Sequence, residues 1–539
     1  MDQKILLKKL FKDWKITIFI GLIILLIGTF LRTFNLTHLP VFGDEAIYIR
    51  WAQIMRNEPT LRFLPLSDGK QPLFMWVMMP FLKIFSDPLV AGRMVSVLTG
   101  LGTGIGIFVL SYLLLKSKNV SLASMFIYMI APFGFFFDRL AMADSLLSFF
   151  GIWSVIVAIL LVKLQRLDLA MILGFLLGGA LLTKSPALFF SLLIPTTSLL
   201  VKFTKSKNPN LGKILKILLL FFISYFIAYF SYNFILRLGP NFHMIGLRNL
   251  DYVFPISHLW QNPKDPFIFH FDRAREWYVI YGSWWLVGLF LFGLANIKKY
   301  WKEVLVLIGL FIIPILVQSM FAKAFTTRYV FFTFPYYAIL CGIAFKDFDF
   351  KKTYAKIKGV LMVLFAVQSI YFFFIFQTNL QKTPLARTDR SGFFEEWTSG
   401  IGIKESTDII VGEYMKNPSK KIVVGTEGYF GTLPDGFQMY TAAYPISVIG
   451  VGIDLHEIPR NLNESVEFGN STYLVINSSR LKMPLDSPEF EIVASFPKAF
   501  RPQFVHEYTL HGPRDTLYLI KIKNMNPISS GRREWVLFS

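Results

Sequence analysis

Apolar residues in this chain gather into runs of about twenty over roughly its first two thirds, and a helix of that length crosses a hydrocarbon core about 30 Å thick. The pattern predicts about eleven spans, near residues 16–31, 89–115, 120–137, 145–162, 169–183, 186–201, 214–236, 277–297, 304–322, 329–345 and 359–377. Two connections are long, 32–88 and 237–276. In the first, Ala46, Ile47, Trp51, Ile54 and Met55 recur at helical spacing, which predicts a helix from Asp44 to Arg56 lying in the membrane interface. Residues 71–85 are apolar enough for another span, but counting them would invert every later loop. They are expected to form a re-entrant or interfacial hairpin instead.

After Gln377 the pattern changes to short β-rich runs at 421–425, 444–451, 471–477, 490–496 and 515–522, with a helix over 407–415. The predicted fold class is a polytopic α-helical membrane protein, residues 1–377, followed by a soluble α/β domain, residues 378–539.

Composition agrees with the pattern. Hydrophobic residues make up 54% of the 539 and charged residues only 17%, which excludes an ordinary soluble enzyme. The net charge of +20 raises nucleic acid as a partner, but the basic residues sit in clusters between apolar runs, where they act on topology. Those clusters are Lys116 and Lys118; Lys163 and Arg166; Lys202, Lys205, Lys207 and Lys213; Lys298, Lys299 and Lys302; and Lys346, Lys351, Lys352, Lys356 and Lys358. Placed inside, they put the N-terminus in the cytoplasm and both long loops and the C-terminal domain outside a cell membrane. The first apolar run is expected to remain as an uncleaved helix. The single cysteine, Cys341, allows no internal disulfide.

Charged residues recur in the turns predicted to lie outside. Asp44 and Glu45 follow the first span, either as a helix N-terminus favoured by the helix dipole or as a catalytic pair. Asp138, Arg139 and Asp144 share the turn before the fourth span, where Asp144 also suits an N-cap. Lys184 stands between the fifth and sixth spans, Lys323, Arg328 and Tyr329 before the tenth, and Lys70 beside the apolar segment. Each cation alone reads as a snorkelling side chain. Several gathered at one face suit a phosphate leaving group, with a carboxylate as general base. No histidine and cysteine cluster has zinc spacing, no P-loop or dinucleotide fingerprint appears, and a divalent metal is not expected. A transporter or flippase of lipid-linked sugars is the alternative, although carriers place ionisable groups near the midplane of broken, repeated helices.

In order along the chain stand the pair Asp44-Glu45, Lys70-x-Pro72-Leu73, Arg139-x4-Asp144, Thr183-Lys184-x-Pro186 and Arg328-Tyr329. From about Thr33 to Phe345 this set resembles the glycosyltransferase C superfamily, specifically the protein O-mannosyltransferases and the aminoarabinose transferases that modify lipid A. Members typically have Lys-Pro-Pro where this chain has Lys70-Gln71-Pro72. The resemblance implies inverting transfer of a monosaccharide from a polyprenyl-phosphate donor to a protein, lipid or glycan. Asp44 would be the base, with Glu45 beside it, and Lys70, Arg139, Asp144, Lys184, Arg328 and Tyr329 would bind substrate.

Overall fold

The computed structural model describes residues 3–201, 211–295, 298–349 and 351–523, so the basic positions Lys202, Lys205 and Lys207 lie outside the described residues. The chain divides into two compact units, one of residues 1–39 and 51–389, the other of residues 40–50 and 390–539. The sequence boundary at 377/378 therefore falls inside the first unit. The segment after the last long helix stays with that unit, where the Ala386 N–H donates to the Tyr281 hydroxyl at 3.1 Å and the same hydroxyl donates to Asp389 at 2.5 Å.

The first unit is helical. Helix α1 (Gln3–Thr33) leads into α2 (Gly43–Asn57), which the unit boundary crosses. Long helices follow as α3 (Pro88–Leu115), α4 (Lys118–Ile130), α5 (Ala143–Leu164), α6 (Leu167–Thr183), α7 (Leu211–Arg237), α8 (Trp301–Phe321) and α9 (Thr353–Thr378). Among the described residues seven helical segments are long and apolar enough to cross a membrane, and eight if Phe267–Gly282 and Trp284–Leu294 form one span bent by 103°. The expected count of eleven is not reached. Helix α4 has 13 residues and stops before Pro132, α6 has 17, and the helix beginning at Ala187 tightens to a 3₁₀ turn at Ile194–Leu200 around Pro195.

Residues 71–85 are a single helix, Leu73–Ile84, and not a hairpin; Pro80 lies inside it without turning the chain back. At 12 residues it is about 18 Å long, short of a bilayer core. Helix α2 forms where expected but is mostly buried: Ala46, Ile49, Ala52 and Met55 are fully enclosed, which a helix lying on an interface would not be.

Small residues bring one pair of helices close together. Gly174 and Gly178 of α6 face α7, where a Cβ on Gly174 would meet the Ser224 carbonyl oxygen at 2.8 Å and one on Gly178 the Ser231 Cβ at 3.3 Å. This small-x-x-x-small stripe lets the backbones approach, and Ser224 Oγ donates to the Ala170 carbonyl at 2.9 Å.

The second unit holds a five-stranded mixed sheet, β1 (Ile422–Thr426), β2 (Ser447–Gly450), β3 (Ser471–Asn477), β4 (Phe490–Pro497) and β5 (Thr516–Ile522), in the order β2-β1-β3-β5-β4. β1 runs parallel to β2 and β3, and β5 antiparallel to β3 and β4. All five β-rich runs of the sequence are strands, and the expected helix is α10 (Ile403–Lys416). Residues 40–50 join this unit through a bridge from Phe42 to Ser399 and a hydrogen bond from the Gly43 N–H to the Thr398 carbonyl, 3.1 Å.

Candidate active site

The acidic pair opens α2 within the second unit. Glu45 is fully buried and its carboxylate accepts the N–H of Phe42 at 3.0 Å, the half of a capping box that ties the third helical residue back to the cap. Asp44, one residue earlier, is only half-buried. The pair therefore splits into an inward residue holding the helix start and a more accessible carboxylate in the same turn, where the helix dipole favours negative charge.

In the first unit, four predicted residues, Asp144, Lys184, Arg328 and Tyr329, meet. Lys184 ends α6, where the following Ser185-Pro186 stops the helix. Its Nζ lies 2.6 Å from the Asp144 carboxylate and 4.9 Å from the centre of the Tyr329 ring. Arg328 faces the same ring from 5.4 Å and donates to the Met142 sulfur at 3.1 Å. Two cations from distant turns thus share one aromatic ring, with the buried Asp144 on the lysine. Asp144 is not an N-cap: Met142 occupies that position, and the carboxylate turns to Lys184.

Lys70 pairs with Asp68 at 3.3 Å and stands over the Trp51 ring at 5.5 Å. Its neighbour Gln71, the departure from Lys-Pro-Pro, donates from Nε2 to Ser185 Oγ at 2.9 Å, so the segment carrying Lys70 is tied to the turn carrying Lys184.

Arg139 is turned elsewhere. It donates to the carbonyls of Leu31, Phe34 and Asn35 at 2.7 to 2.9 Å, satisfying the C-terminal end of α1 where a cation is electrostatically favoured. Arg93 donates to the carbonyls of Leu36 and Leu39 in the turn after α1, at 2.7 and 2.8 Å, and buried Arg32 pairs with Asp138 at 2.9 Å. Arg32 and Arg93 escaped the sequence reading, although ionisable residues within apolar runs are the mark that would have found them.

Asp389 also escaped it. This carboxylate is buried against the Tyr281 hydroxyl and feels the charge of Arg328; burial pushes it up to about 6, against the pull of Tyr281 and Arg328 toward its charged form. The Tyr281 ring lines an apolar cavity of about 370 Å³ at the 103° bend, together with Trp284, Gln368, Tyr371 and Phe372. Among the described residues, no three histidine, cysteine or carboxylate side chains gather closely enough to hold a metal ion.

Residues 69–230 match the family model of dolichyl-phosphate-mannose-protein mannosyltransferase. The structure resembles that of ArnT from Cupriavidus metallidurans bound to undecaprenyl phosphate, with a TM-score of 0.56 at 14% identity, covering 94% of this chain and 98% of that one. The apo state of the same ArnT gives 0.55 at the same identity and coverage. The oligosaccharyltransferase of Archaeoglobus fulgidus is less alike, with a TM-score of 0.47 at 12% identity over 86% of this chain and 70% of that one. No curated protein sequence matches the chain. The chain thus has the fold of ArnT, with several helices long and apolar enough to cross a membrane, and its segment carrying Lys70, Arg139, Asp144 and Lys184 is similar to the dolichyl-phosphate-mannose-protein mannosyltransferases.

Proposed function

We propose that this protein moves a monosaccharide from a polyprenyl-phosphate donor to a protein, lipid or glycan acceptor at the extracytoplasmic face of the cell membrane, by a single inverting displacement. The observation that carries the reading is the convergence of Lys184 and Arg328 on Tyr329, with Asp144 holding the lysine. Fixed cations of this kind offset charge as it builds on the oxygens of a departing phosphate. Lys70 is assigned to the same donor because Gln71 ties its segment to Ser185. The cavity beside Tyr281 suits an isoprenoid chain, and the ArnT of the similar structure holds undecaprenyl phosphate.

Asp44 is assigned as the base that takes the acceptor's proton, with Glu45 keeping its turn in place. Arg139 supports the donor side indirectly, by fixing the end of α1. The basic clusters between helices supply the orientation, placing the charged turns outside.

A monophosphate leaving group carries less charge than a diphosphate, so the lysine and arginine cluster suffices without a divalent ion. The test is turnover in excess EDTA with defined polyprenyl-monophosphate and polyprenyl-diphosphate sugars. The monophosphate should be used at an undiminished rate. Turnover that vanishes with chelator and returns with Mn²⁺, or use of the diphosphate alone, would overturn the metal-free displacement and recast Asp144 as a metal ligand.

A further inference from the structure

In open sheets with parallel strands, ligands bind outside the carboxyl ends of those strands. The second unit has one such edge, where β2, β1 and β3 end side by side. Three loops leave it. The loop after β1 turns between Gly428 (φ +70°) and Gly431 (φ +121°), backbone conformations that favour glycine, and so presents Tyr429 and Phe430 at its tip. The loop after β2 runs beneath Tyr429: a Cβ on Gly450 would come within 2.9 Å of that ring, and one on Gly452 within 3.5 Å of its hydroxyl. The loop after β3 carries Arg480, whose guanidinium stacks on Trp397 at 4.5 Å. A Cβ on Gly431 would lie 3.6 Å from the same Trp397.

One face of Tyr429 is thus set against glycine backbone while the ring remains 76% exposed, and Phe430 and Trp397 are 47% and 41% exposed. Three aromatic rings left in water at one edge mark a contact surface.

Beneath them lies a fixed polar network. The buried Glu427 carboxylate accepts from the Asn477 N–H and Nδ2, both at 2.7 Å, and from Arg480 at 3.2 Å. The Oδ1 of Asn477 is buried without a hydrogen-bond partner among the described residues, so the network beneath the rings holds an acceptor that is not matched within it. Charge at the edge is balanced within the loops themselves, Arg480 by Glu427 and Lys482 by Asp454 at 3.6 Å. An anionic lipid surface or a phosphate would call for unmatched cations. A neutral ligand with apolar faces and many hydroxyls meets all three conditions: rings to stack on, acceptors and donors held in place, and no net charge.

We propose that this edge, formed by Tyr429, Phe430, Trp397, Glu427, Asn477 and Arg480, binds a neutral saccharide, the glycan part of the acceptor. The proposal rests on the glycosyltransferase reading for what the saccharide belongs to, but the binding itself is measured apart from transfer.

The experiment is saturation-transfer NMR on the full-length protein in nanodiscs, with millimolar α-linked mannose and β-linked glucose and N-acetylglucosamine disaccharides as probes. At least one should receive saturation at its ring protons. Tyr429→Ala and Trp397→Ala should each weaken that binding about tenfold, the size of effect expected on losing one stacking ring. Phe468→Ala, which removes an equally exposed ring from before the amino end of β3, should leave it unchanged. No transfer to any probe, or equal transfer in all four proteins, would overturn the proposal. So would loss of binding to anionic liposomes in Tyr429→Ala with saccharide contacts unaffected, which would make the edge a membrane contact. Wild-type saccharide binding without any sugar transfer from a polyprenyl-phosphate donor would count against the proposed reaction and leave the site standing.

Discussion

Asp44 and Glu45 are neighbours in sequence and differ in what they can do. Glu45 is enclosed and spends its carboxylate on the Phe42 N–H, while Asp44 keeps some contact with solvent. Asp44→Asn is expected to lower transfer about 10²–10⁴-fold, the range for loss of a general base, with the melting temperature little changed. Glu45→Gln retains an acceptor for Phe42 and should cost far less activity; equal losses in the two variants would remove Asp44 from the role of base. Asp389 makes a different prediction. Its buried carboxyl titrates near 6 against an ordinary 3.8, so between about pH 4 and 6 the folded protein binds more protons than the unfolded one. The stability contributed by that proton is present below pH 4 and lost as pH rises through 6, on the order of 3 kcal/mol for a shift of about two units. Asp389→Asn should flatten the melting temperature across that window, and an unchanged slope would contradict it. The sequence showed Asp144, Lys184 and Arg328 as charges in apolar surroundings, but not that Lys184 would turn to Asp144 and Arg139 to α1. Pairing depends on which turns the helices bring together. Asp389 was hidden because it follows the last span among other charged residues, where nothing contrasts with it.

Helices and strands were legible to the degree that their periodicity was unbroken. The runs of β-branched residues at 471–477 and 515–522 became β3 and β5, and the long apolar runs became α3, α5, α7 and α9. Local chemistry inside a run was harder to see. Pro132 ends α4 early, and Ser283 takes a positive φ of 78° where the chain bends by 103°, breaks within apolar runs that hydropathy alone does not show. The α6–α7 contact supplies the matching prediction. A Cβ on Gly174 would lie 2.7 Å from the Ile227 Cβ and 2.8 Å from the Ser224 carbonyl, whereas nothing stands within 4 Å of one on Gly246. Gly174→Ala should destabilise the solubilised protein by about 1–3 kcal/mol through overpacking. Gly246→Ala should be neutral or slightly stabilising, since alanine is the better helix former. Equal thermal shifts for both would mean that α6 and α7 do not depend on this approach.

For the molecule as a whole, two readings share a many-helix membrane architecture and part company over covalent chemistry. A carrier moves the lipid-linked sugar intact; a transferase breaks the bond between sugar and phosphate and leaves free lipid phosphate behind. The sequence carried the class of the fold through its apolar runs and the β-rich C-terminal region. It did not carry the division of the chain, because residues 40–50 join the second unit by backbone bonds to Thr398 and Ser399, contacts between segments more than three hundred residues apart. The most direct test places the purified protein in sealed vesicles of known orientation, with radiolabelled polyprenyl-phosphate monosaccharide supplied only at the extracytoplasmic face, alongside lipids and glycoconjugates from native membranes. The account predicts label on an acceptor and one free polyprenyl phosphate for each sugar moved, lost in Asp44→Asn. Intact labelled donor appearing at the opposite face, with no lipid phosphate released, would contradict it.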